Sequence, residues 1–203
     1  MYNTPVSQES IDKAVAALKT NGIDSYVARD GADAWAKVQE LIPKGAQVMT
    51  MTSVTLDTLG IAKQLNESGE YDSVRAKFAK MDPKTQGREM KMLGAAPEYV
   101  IGSVHAVTED GKVLIASNTG SQLPAYVYGA DKVIWVVGTQ KITKDLEDAT
   151  KRLYEYVLPL ESVRANKAYN ITSGSFVSKE LVVNREITPG RITIIFVPDV
   201  LGF

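Results

Sequence analysis

Three short polar segments carry the side chains best suited to bind an anion, and each follows a predicted strand. They run from Thr52 to Thr55, from Ser117 to Gln122 and from Gly138 to Lys141. Hydroxyl, amide and backbone N–H groups donate hydrogen bonds to carboxylate or phosphate oxygens, and Lys141 adds a positive charge. Gly120 and Gly138 let the backbone approach a ligand closely. With Ser103 from a neighbouring strand, the candidate ligand-binding residues are Thr52, Ser53, Thr55, Ser103, Asn118, Thr119, Gly120, Ser121, Gln122, Gly138, Thr139, Gln140 and Lys141.

Each of these segments taken alone also fits a purely structural role. Serine and threonine are common helix caps, glycine is a common turn residue, and a lysine at a loop is usually solvated. The anion-site hypothesis therefore requires the three segments to meet at one edge of a sheet. That happens if the strands before them are parallel neighbours, because open α/β sheets bind ligands at the carboxyl ends of their strands.

Two further residues are candidates for proton transfer. His105 is the only imidazole, and the alternation within a strand predicts that it shares a face with Ser103. It could act as a general base or a hydrogen-bond donor, although a buried structural histidine is the commoner outcome. Glu98, just before the same strand, is the second candidate. A single histidine cannot build a histidine-based metal site, and we expect no metal and no cofactor.

Composition and missing motifs exclude several classes of protein. The 203 residues include 23 basic and 24 acidic side chains, so no basic face is available for nucleic acid. The absence of cysteine excludes disulfides, cysteine-bound zinc and iron–sulfur clusters on this chain. No nucleophile elbow, phosphate-binding P-loop or Gly-x-Gly-x-x-Gly motif occurs. The amino terminus resembles no signal sequence and no run is long enough to cross a membrane, so we expect a cytoplasmic protein.

The order of predicted elements indicates an α/β fold with an open, mostly parallel sheet flanked by helices, in a single domain over residues 1–203. The run Val133 to Val137 predicts a central strand buried on both faces. Apolar periodicity predicts helices over residues 7–20, 33–42, 56–67, 71–81 and 143–157, and strands over residues 23–28, 47–51, 181–187 and 191–197.

Several boundaries in the second half follow from turn and cap residues. Two strands are predicted on either side of the Glu109-Asp110-Gly111 turn, with His105 inside the first. Thr143 is expected to cap a helix that Pro159 ends. Residues 82–88 are predicted to be a surface connection and residues 162–178 a loop or flap. The apolar tail, residues 198–203, is expected to pack back on the protein or to meet a partner.

Three blocks of sequence resemble the lactate-utilisation (LUD) domain family. They are Ile101 to Gly111, Asn118 to Gln122 and Tyr128 to Ile142. The resemblance covers most of the chain and is to the cluster-free, LutC/YkgG-like members. It implies a fold like that of the superfamily of ribose-phosphate isomerase, glucosamine-phosphate deaminase and CoA transferase (NagB/RpiA/CoA-transferase-like).

The resemblance also implies a part in the oxidation of L-lactate, or a related organic acid, to pyruvate. In that system iron–sulfur partner subunits carry the clusters, so such oxidoreductase subunits are possible partners, as is a second copy of the chain. Two alternatives stay open. One is an independent enzyme acting on a sugar phosphate, CoA thioester or folate-like substrate, with His105 or Glu98 as proton carrier. The other is a non-catalytic assembly or sensor subunit.

Overall fold

The larger of two sheets has six strands, all parallel, in a computed structural model that describes residues 2–203. In chain order its strands are β1 (Asp24–Val27), β2 (Gln47–Thr50), β3 (Asp72–Ser73), β4 (Tyr99–Gly102), β7 (Lys132–Gly138) and β10 (Ile192–Val197). Across the sheet they lie in the order β1-β10-β7-β4-β2-β3. The mostly parallel α/β architecture predicted from the sequence is confirmed.

The smaller sheet has four strands, β5 (Ala106–Thr108), β6 (Val113–Ser117), β8 (Ile142–Thr143) and β9 (Lys179–Val183). They lie in the order β8-β5-β6-β9. The β5–β6 and β6–β9 pairs are antiparallel, whereas β5 and β8 are parallel. This sheet therefore holds both strands that flank the predicted Glu109-Asp110-Gly111 turn.

Eight α-helices connect and cover the strands. They are α1 (Gln8–Thr20), α2 (Gly31–Leu41), α3 (Val54–Thr58), α4 (Ile61–Glu67), α5 (Val74–Phe78), α6 (Pro83–Ala95), α7 (Leu146–Arg152) and α8 (Leu158–Tyr169), counted over residues 2–203. Wider turns, with hydrogen bonds spanning five residues, form at Ala125–Gly129 and Leu153–Val157, and a single tight turn forms at Thr139–Lys141.

Apolar side chains on both faces of β7 form separate cores. Val133, Trp135 and Val137 pack into one cluster, while Ile134 and Val136 pack into the other on the opposite face. Alternation along a strand produces this division, because successive side chains point to opposite faces. The prediction that this run is a central strand buried on both faces is confirmed.

His105 does not lie inside a strand, contrary to the prediction. Strand β4 of the larger sheet ends at Gly102, and strand β5 of the smaller sheet begins at Ala106. The three residues between them cross from one sheet to the other. The residues before this segment pair with strands of the larger sheet, and those after it pair with strands of the smaller sheet. A local sequence pattern does not show where the pairing changes.

The predicted helix over residues 143–157 begins later and ends later than expected. Asp145, not Thr143, is the cap, and its carboxylate accepts a hydrogen bond from the Asp148 N–H at 2.9 Å. Thr143 belongs to β8. Pro159 does not end the helix, because it lies in the first turn of α8 directly after the wide turn, where its missing N–H costs least. Residues 162–169 of the predicted flap are therefore helical.

Two other boundaries also differ from prediction. The helix predicted over residues 56–67 is divided at Gly60, whose φ of +69° is a left-handed conformation that suits glycine. The predicted surface connection over residues 82–88 is mostly helical, because Asp82 caps α6 and Pro83 occupies its first turn. In both cases residues at the boundary itself favour the end or the start of a helix.

Candidate functional site

A cleft of about 490 Å³ lies beside the carboxyl ends of β2 and β4. Residues from all three predicted polar segments line it, together with the segment between β4 and β5. The cleft brings together Thr52, Ser53, Thr55, Ser103, His105, Asn118, Thr119, Ser121, Gln122 and Lys141. The sequence analysis named each of these ten residues as a candidate.

The segment from Ser117 to Gln122 reaches the cleft by a route that the sequence analysis did not foresee. It follows β6, which belongs to the smaller sheet and is not a parallel neighbour of β2 or β7. After β4 the chain crosses into β5, and the antiparallel β5–β6 pair returns it toward the same end of β4. The convergence of the segments was predicted, but the parallel arrangement given as its reason is wrong for this one.

Lys141 lies at the floor of the cleft with only 2 % of its surface exposed. Its ammonium nitrogen, Nζ, donates to Ser103 Oγ at 3.1 Å and to Thr55 Oγ1 at 3.2 Å. Within residues 2–203 no carboxylate lies within 4 Å of Nζ, so only neutral oxygens contact the charge. A buried ammonium without a carboxylate partner is costly, which is why such positions are often functional.

A second buried cation, Arg152, lies behind the floor. It is fully buried, and Nη1 donates to the backbone oxygen of His105. Its Nε and Nη2 atoms have no hydrogen-bond partner in the described part of the chain. The rings of Tyr2 and Tyr156 lie 5.9 and 5.4 Å from its guanidinium carbon, and their faces partly compensate for its lost hydration.

Burial and the neighbouring positive charge act together on Lys141. Burial is the larger cause, the Arg152 guanidinium is the second, and together they lower the pKa of Lys141 to about 7. Removing a cation from water and placing it near another cation both disfavour its charged form. The charged form of the lysine is therefore disfavoured, and a bound anion would favour it again.

The sequence analysis missed Arg152 because a cationic side chain late in a helix is usually solvated. One signal for burial exists. Arg152 follows Ala149 by three residues, on the face where Ala149 and Leu153 pack into the core. A cation on the apolar face of an amphipathic helix is the pattern that predicts a buried charge.

The surroundings of His105 limit how its imidazole ring can be protonated. Its Nδ1 accepts a hydrogen bond from the Ala116 N–H at 3.0 Å, so the neutral ring carries its proton on Nε2. Burial, followed by the charges of Lys141 and Arg152, lowers the pKa of His105 to about 3. A neutral histidine with Nδ1 occupied is a hydrogen-bond donor to a ligand and is poorly suited to be a general base.

Glu98, the second candidate for proton transfer, does not line the cleft that the other candidate residues share. It lies just before β4, at the amino end of the strand, whereas Ser103 and the cleft follow the carboxyl end. Its Oε2 accepts a hydrogen bond from the Gln47 N–H at 3.1 Å. The exposed carboxylate therefore ties the starts of two strands together.

Four predicted ligand-binding residues also lie outside the cleft lining, namely Gly120, Gly138, Thr139 and Gln140. Gln140 is buried, and its Nε2 donates to the backbone oxygen of Leu201 at 2.9 Å. Thr55 Oγ1 donates to the same oxygen at 3.1 Å. These two contacts hold the carboxyl-terminal tail, which confirms that the tail packs back on the protein.

Replacing Gly138 with alanine is expected to displace the tail. An added Cβ would lie 2.6 Å from the Asp199 backbone oxygen, 2.9 Å from the Leu201 nitrogen and 2.1 Å from Gln140 Oε1. We expect Gly138→Ala to lower the free energy of unfolding in urea by about 2 kcal/mol, the usual cost of overpacking. Gly87→Ala is the matched control, because that helical position has no neighbour within 4 Å and alanine favours a helix. Equal stability of the two variants would contradict the expectation.

Hydrogen bonds within the polar segments show which of their side chains also hold the loops together. Ser53 caps α3 by accepting from the Leu56 N–H. Ser117 Oγ donates to Gln122 Oε1 at 2.9 Å and accepts from the Gly120 N–H at 2.8 Å. These contacts shape the loop, while Ser103 and Lys141 have no such local role.

The opposite wall of the cleft is largely apolar and was missed by the sequence analysis. It comes from the wide turn at residues 153–157, from α8 and from the segment after it, and comprises Leu153, Val157, Leu158, Ala165, Ile171, Phe176 and Val177. Arg164 also lines it, but its Nε and Nη2 donate to the two carboxylate oxygens of Glu161, at 2.7 and 2.6 Å. Lys141 is therefore the one cleft-lining Lys or Arg without a carboxylate partner among residues 2–203.

Two features of residues 2–203 bear on other kinds of site. No group of three or more histidine, cysteine, aspartate or glutamate residues is placed to hold a metal ion in that range. Over the same residues, no helix is long and apolar enough to cross a membrane.

The fold and the cleft define a class of protein, an α/β protein with a cleft at the carboxyl ends of parallel strands. Its family is the LUD domain family, to which the chain belongs, because the model of that family matches residues 11–197. No curated protein matches the sequence.

A solved structure agrees with this fold. A DUF162 family protein from Deinococcus radiodurans matches 95 % of this chain and 99 % of its own, with a TM-score of 0.57 at 12 % identity. A match to eIF2B beta from Chaetomium thermophilum covers 70 % of this chain and 45 % of that one, at 17 % identity and a TM-score of 0.30.

Proposed function

We propose that this LUD-domain protein serves in the use of L-lactate or a related organic acid, and that its cleft binds the carboxylate of that acid. The observation that carries the proposal is the buried Lys141 ammonium, which contacts two hydroxyl oxygens and no carboxylate. A carboxylate placed beside it would supply the missing negative charge. Charge-assisted hydrogen bonds of this kind are among the stronger ones in proteins.

The surrounding groups suit the rest of a small hydroxy or oxo acid. Ser103 and the Nε2–H of His105 line the same cleft as hydrogen-bond donors. A three-carbon acid fills only part of the volume, since clefts of about 300–1,000 Å³ hold ligands of drug size. The apolar wall opposite Lys141 would therefore contact a second ligand or a larger acid.

Oxidation of lactate to pyruvate releases a pair of electrons, which need an acceptor. The chain has no cysteine to hold an iron–sulfur cluster. We therefore place the acceptor on partner oxidoreductase subunits that carry such clusters. Reconstitution of lactate oxidation from the purified subunits, with and without this chain, tests that assignment, and unchanged turnover without the chain contradicts it.

Calorimetric titration tests the binding proposal directly. Lactate and pyruvate are titrated into the protein at pH 6.5, with lactamide as a neutral control of nearly the same shape. We expect saturable binding of the acids and at least tenfold weaker binding of the amide, because the amide lacks the charge that pairs with Lys141. Equal binding of lactate and lactamide, or no binding of either acid, would refute the proposal.

The affinity for these acids is expected to depend on pH in a defined direction. Free Lys141 loses its proton near pH 7, and only the protonated form offers a full positive charge. The affinity should therefore be nearly constant from pH 5 to 6.5 and should fall by up to about tenfold for each pH unit above 7. Titrations at pH 8 in buffers of different ionisation enthalpy should show proton uptake on binding, and no proton uptake there would contradict the expectation.

A further inference from the structure

We propose that the Lys141 amine is also a nucleophile, and that it forms an imine with the carbonyl carbon of a bound 2-oxo acid. The inference rests on the proposed function, since it uses the same cleft and the same carboxylate. It adds a covalent step, and that step distinguishes 2-oxo acids from 2-hydroxy acids as ligands. A 2-oxo acid such as pyruvate offers a carbonyl carbon to an amine, whereas a 2-hydroxy acid such as lactate does not.

The position of Lys141 is the first support. Nucleophilic lysines are those that burial or a neighbouring cation keeps partly neutral. Lys141 has both features, because it is 98 % buried and lies in the field of Arg152, which lowers its pKa. It also lines the cleft, and both hydroxyl groups that Nζ contacts belong to other lining residues, Thr55 and Ser103.

The two hydroxyl neighbours of Lys141 have different hydrogen-bonding states. Thr55 Oγ1 donates its proton to the Leu201 backbone oxygen, so it can only accept from Nζ. Ser103 Oγ contacts Nζ at 3.1 Å and makes no other hydrogen bond within residues 2–203. The Ser103 hydroxyl is therefore available to donate to the oxygen that develops negative charge when the amine attacks.

The reaction balances without an oxidant or reductant. The ammonium of Lys141 first gives one proton to water, and the free electron pair of Nζ forms a bond to the 2-carbon of the acid. The carbonyl π electrons move to oxygen, and one proton then passes from Nζ to that oxygen to give a neutral carbinolamine. With a further proton that hydroxyl leaves as water, and a protonated imine remains. Its positive charge still pairs with the carboxylate of the ligand, so the contact that binds the acid survives the covalent step.

Reductive trapping tests the inference on the whole protein. Pyruvate and sodium cyanoborohydride are added at pH 7, where the reagent reduces a protonated imine to a stable secondary amine, and peptide mapping by mass spectrometry locates the adduct. We expect the adduct on Lys141. Lactate under the same conditions should give none. Lys144→Met is the matched control, since Lys144 is an exposed lysine three residues away and its loss should leave trapping unchanged.

Ser103→Ala tests the role of the hydroxyl. We expect trapping to slow by about tenfold or more, with a smaller change in the Kd for pyruvate, because the hydroxyl assists the chemical step more than the binding of the acid. Equal trapping rates for Ser103→Ala and the unchanged protein would remove Ser103 from the mechanism.

Parallel titrations separate the failure of this inference from failure of the proposed function. Saturable binding of pyruvate without an adduct on Lys141 overturns the imine and leaves the proposed function in place. An adduct spread over exposed lysines, with none enriched at Lys141, also overturns it. Absence of both binding and adduct overturns both proposals. An adduct that is enriched at Lys141, and that excess lactate suppresses, supports both proposals.

Discussion

Lys141→Met is expected to lower the affinity for lactate and pyruvate by about 100-fold, or about 2.7 kcal/mol. Methionine has a similar length and keeps the apolar contacts of the lysine stem, but it cannot pair with a carboxylate. The calorimetric titration at pH 6.5 measures the change. Lys144→Met, which removes an exposed lysine nearby, should bind the acids normally.

The same substitution should make the protein more stable. The pKa of Lys141 is about 7 when folded, far below its ordinary value, so between those values the unfolded chain binds more protons than the native state. The free energy of unfolding therefore rises with pH across that window. Below pH 7 the folded protein bears the full cost of burying the charged lysine. We expect Lys141→Met to raise the free energy of unfolding by roughly 2–4 kcal/mol at pH 6, and by little near pH 10.5.

Urea denaturation at the two pH values measures this difference. A gain in stability together with a loss of affinity is the signature of a residue retained for function at a cost to the fold. If Lys141→Met binds the acids as well as the unchanged protein does, Lys141 does not pair with the ligand and the proposed site is wrong.

Arg191→Met is expected to have the opposite pattern, a large loss of stability with little change in affinity. Arg191 is buried, and its guanidinium donates to the backbone oxygens of Ala125, Tyr126 and Ala130 and to Glu186 Oε2 at 2.9 Å. Methionine would leave these oxygens, including a partly buried carboxylate, without their donor. Breaking a buried ion pair from one side costs about 3–5 kcal/mol.

Arg185→Met is the matched control for this prediction, because Arg185 is exposed and close in sequence. Its free energy of unfolding should stay within about 0.5 kcal/mol of the unchanged protein. Arg191 does not line the cleft, so the fraction of Arg191→Met that remains folded should bind pyruvate normally. An Arg191→Met protein as stable as the control would show that the guanidinium contacts contribute little to the fold.

Together the two substitutions separate binding from folding. Lys141 and Arg191 are both buried cations that contact oxygen atoms. They differ in that the oxygens around Arg191 include a carboxylate and three carbonyls, whereas those around Lys141 are two hydroxyls. A compensated cation stabilises the fold, and an uncompensated one is available to a ligand.

Much of the fold could be predicted because its strongest elements have strong local patterns. The apolar run of β7 and the cap, period and stop signals of α1 depend on residues close together in the chain. The break at Gly102 and the continuation through Pro159 could not be predicted in the same way. The break at Gly102 depends on which strands of two different sheets pair with the residues on either side of it. The continuation through Pro159 depends on the wide turn directly before it, which interrupts the regular helical hydrogen bonding.

The sequence by itself determined the α/β architecture, the family and the three polar segments of the site, since these follow from local periodicity, turn chemistry and matching residues. Only the tertiary structure decided what each polar residue does. Gly138 and Gln140 face the tail about 60 residues further along, Glu98 lies at the opposite end of its strand, and Lys141 is buried beside Arg152 without a carboxylate. Whether a charge is solvated, paired or free for a ligand depends on what packs around it, and packing joins residues that the order of the chain keeps apart.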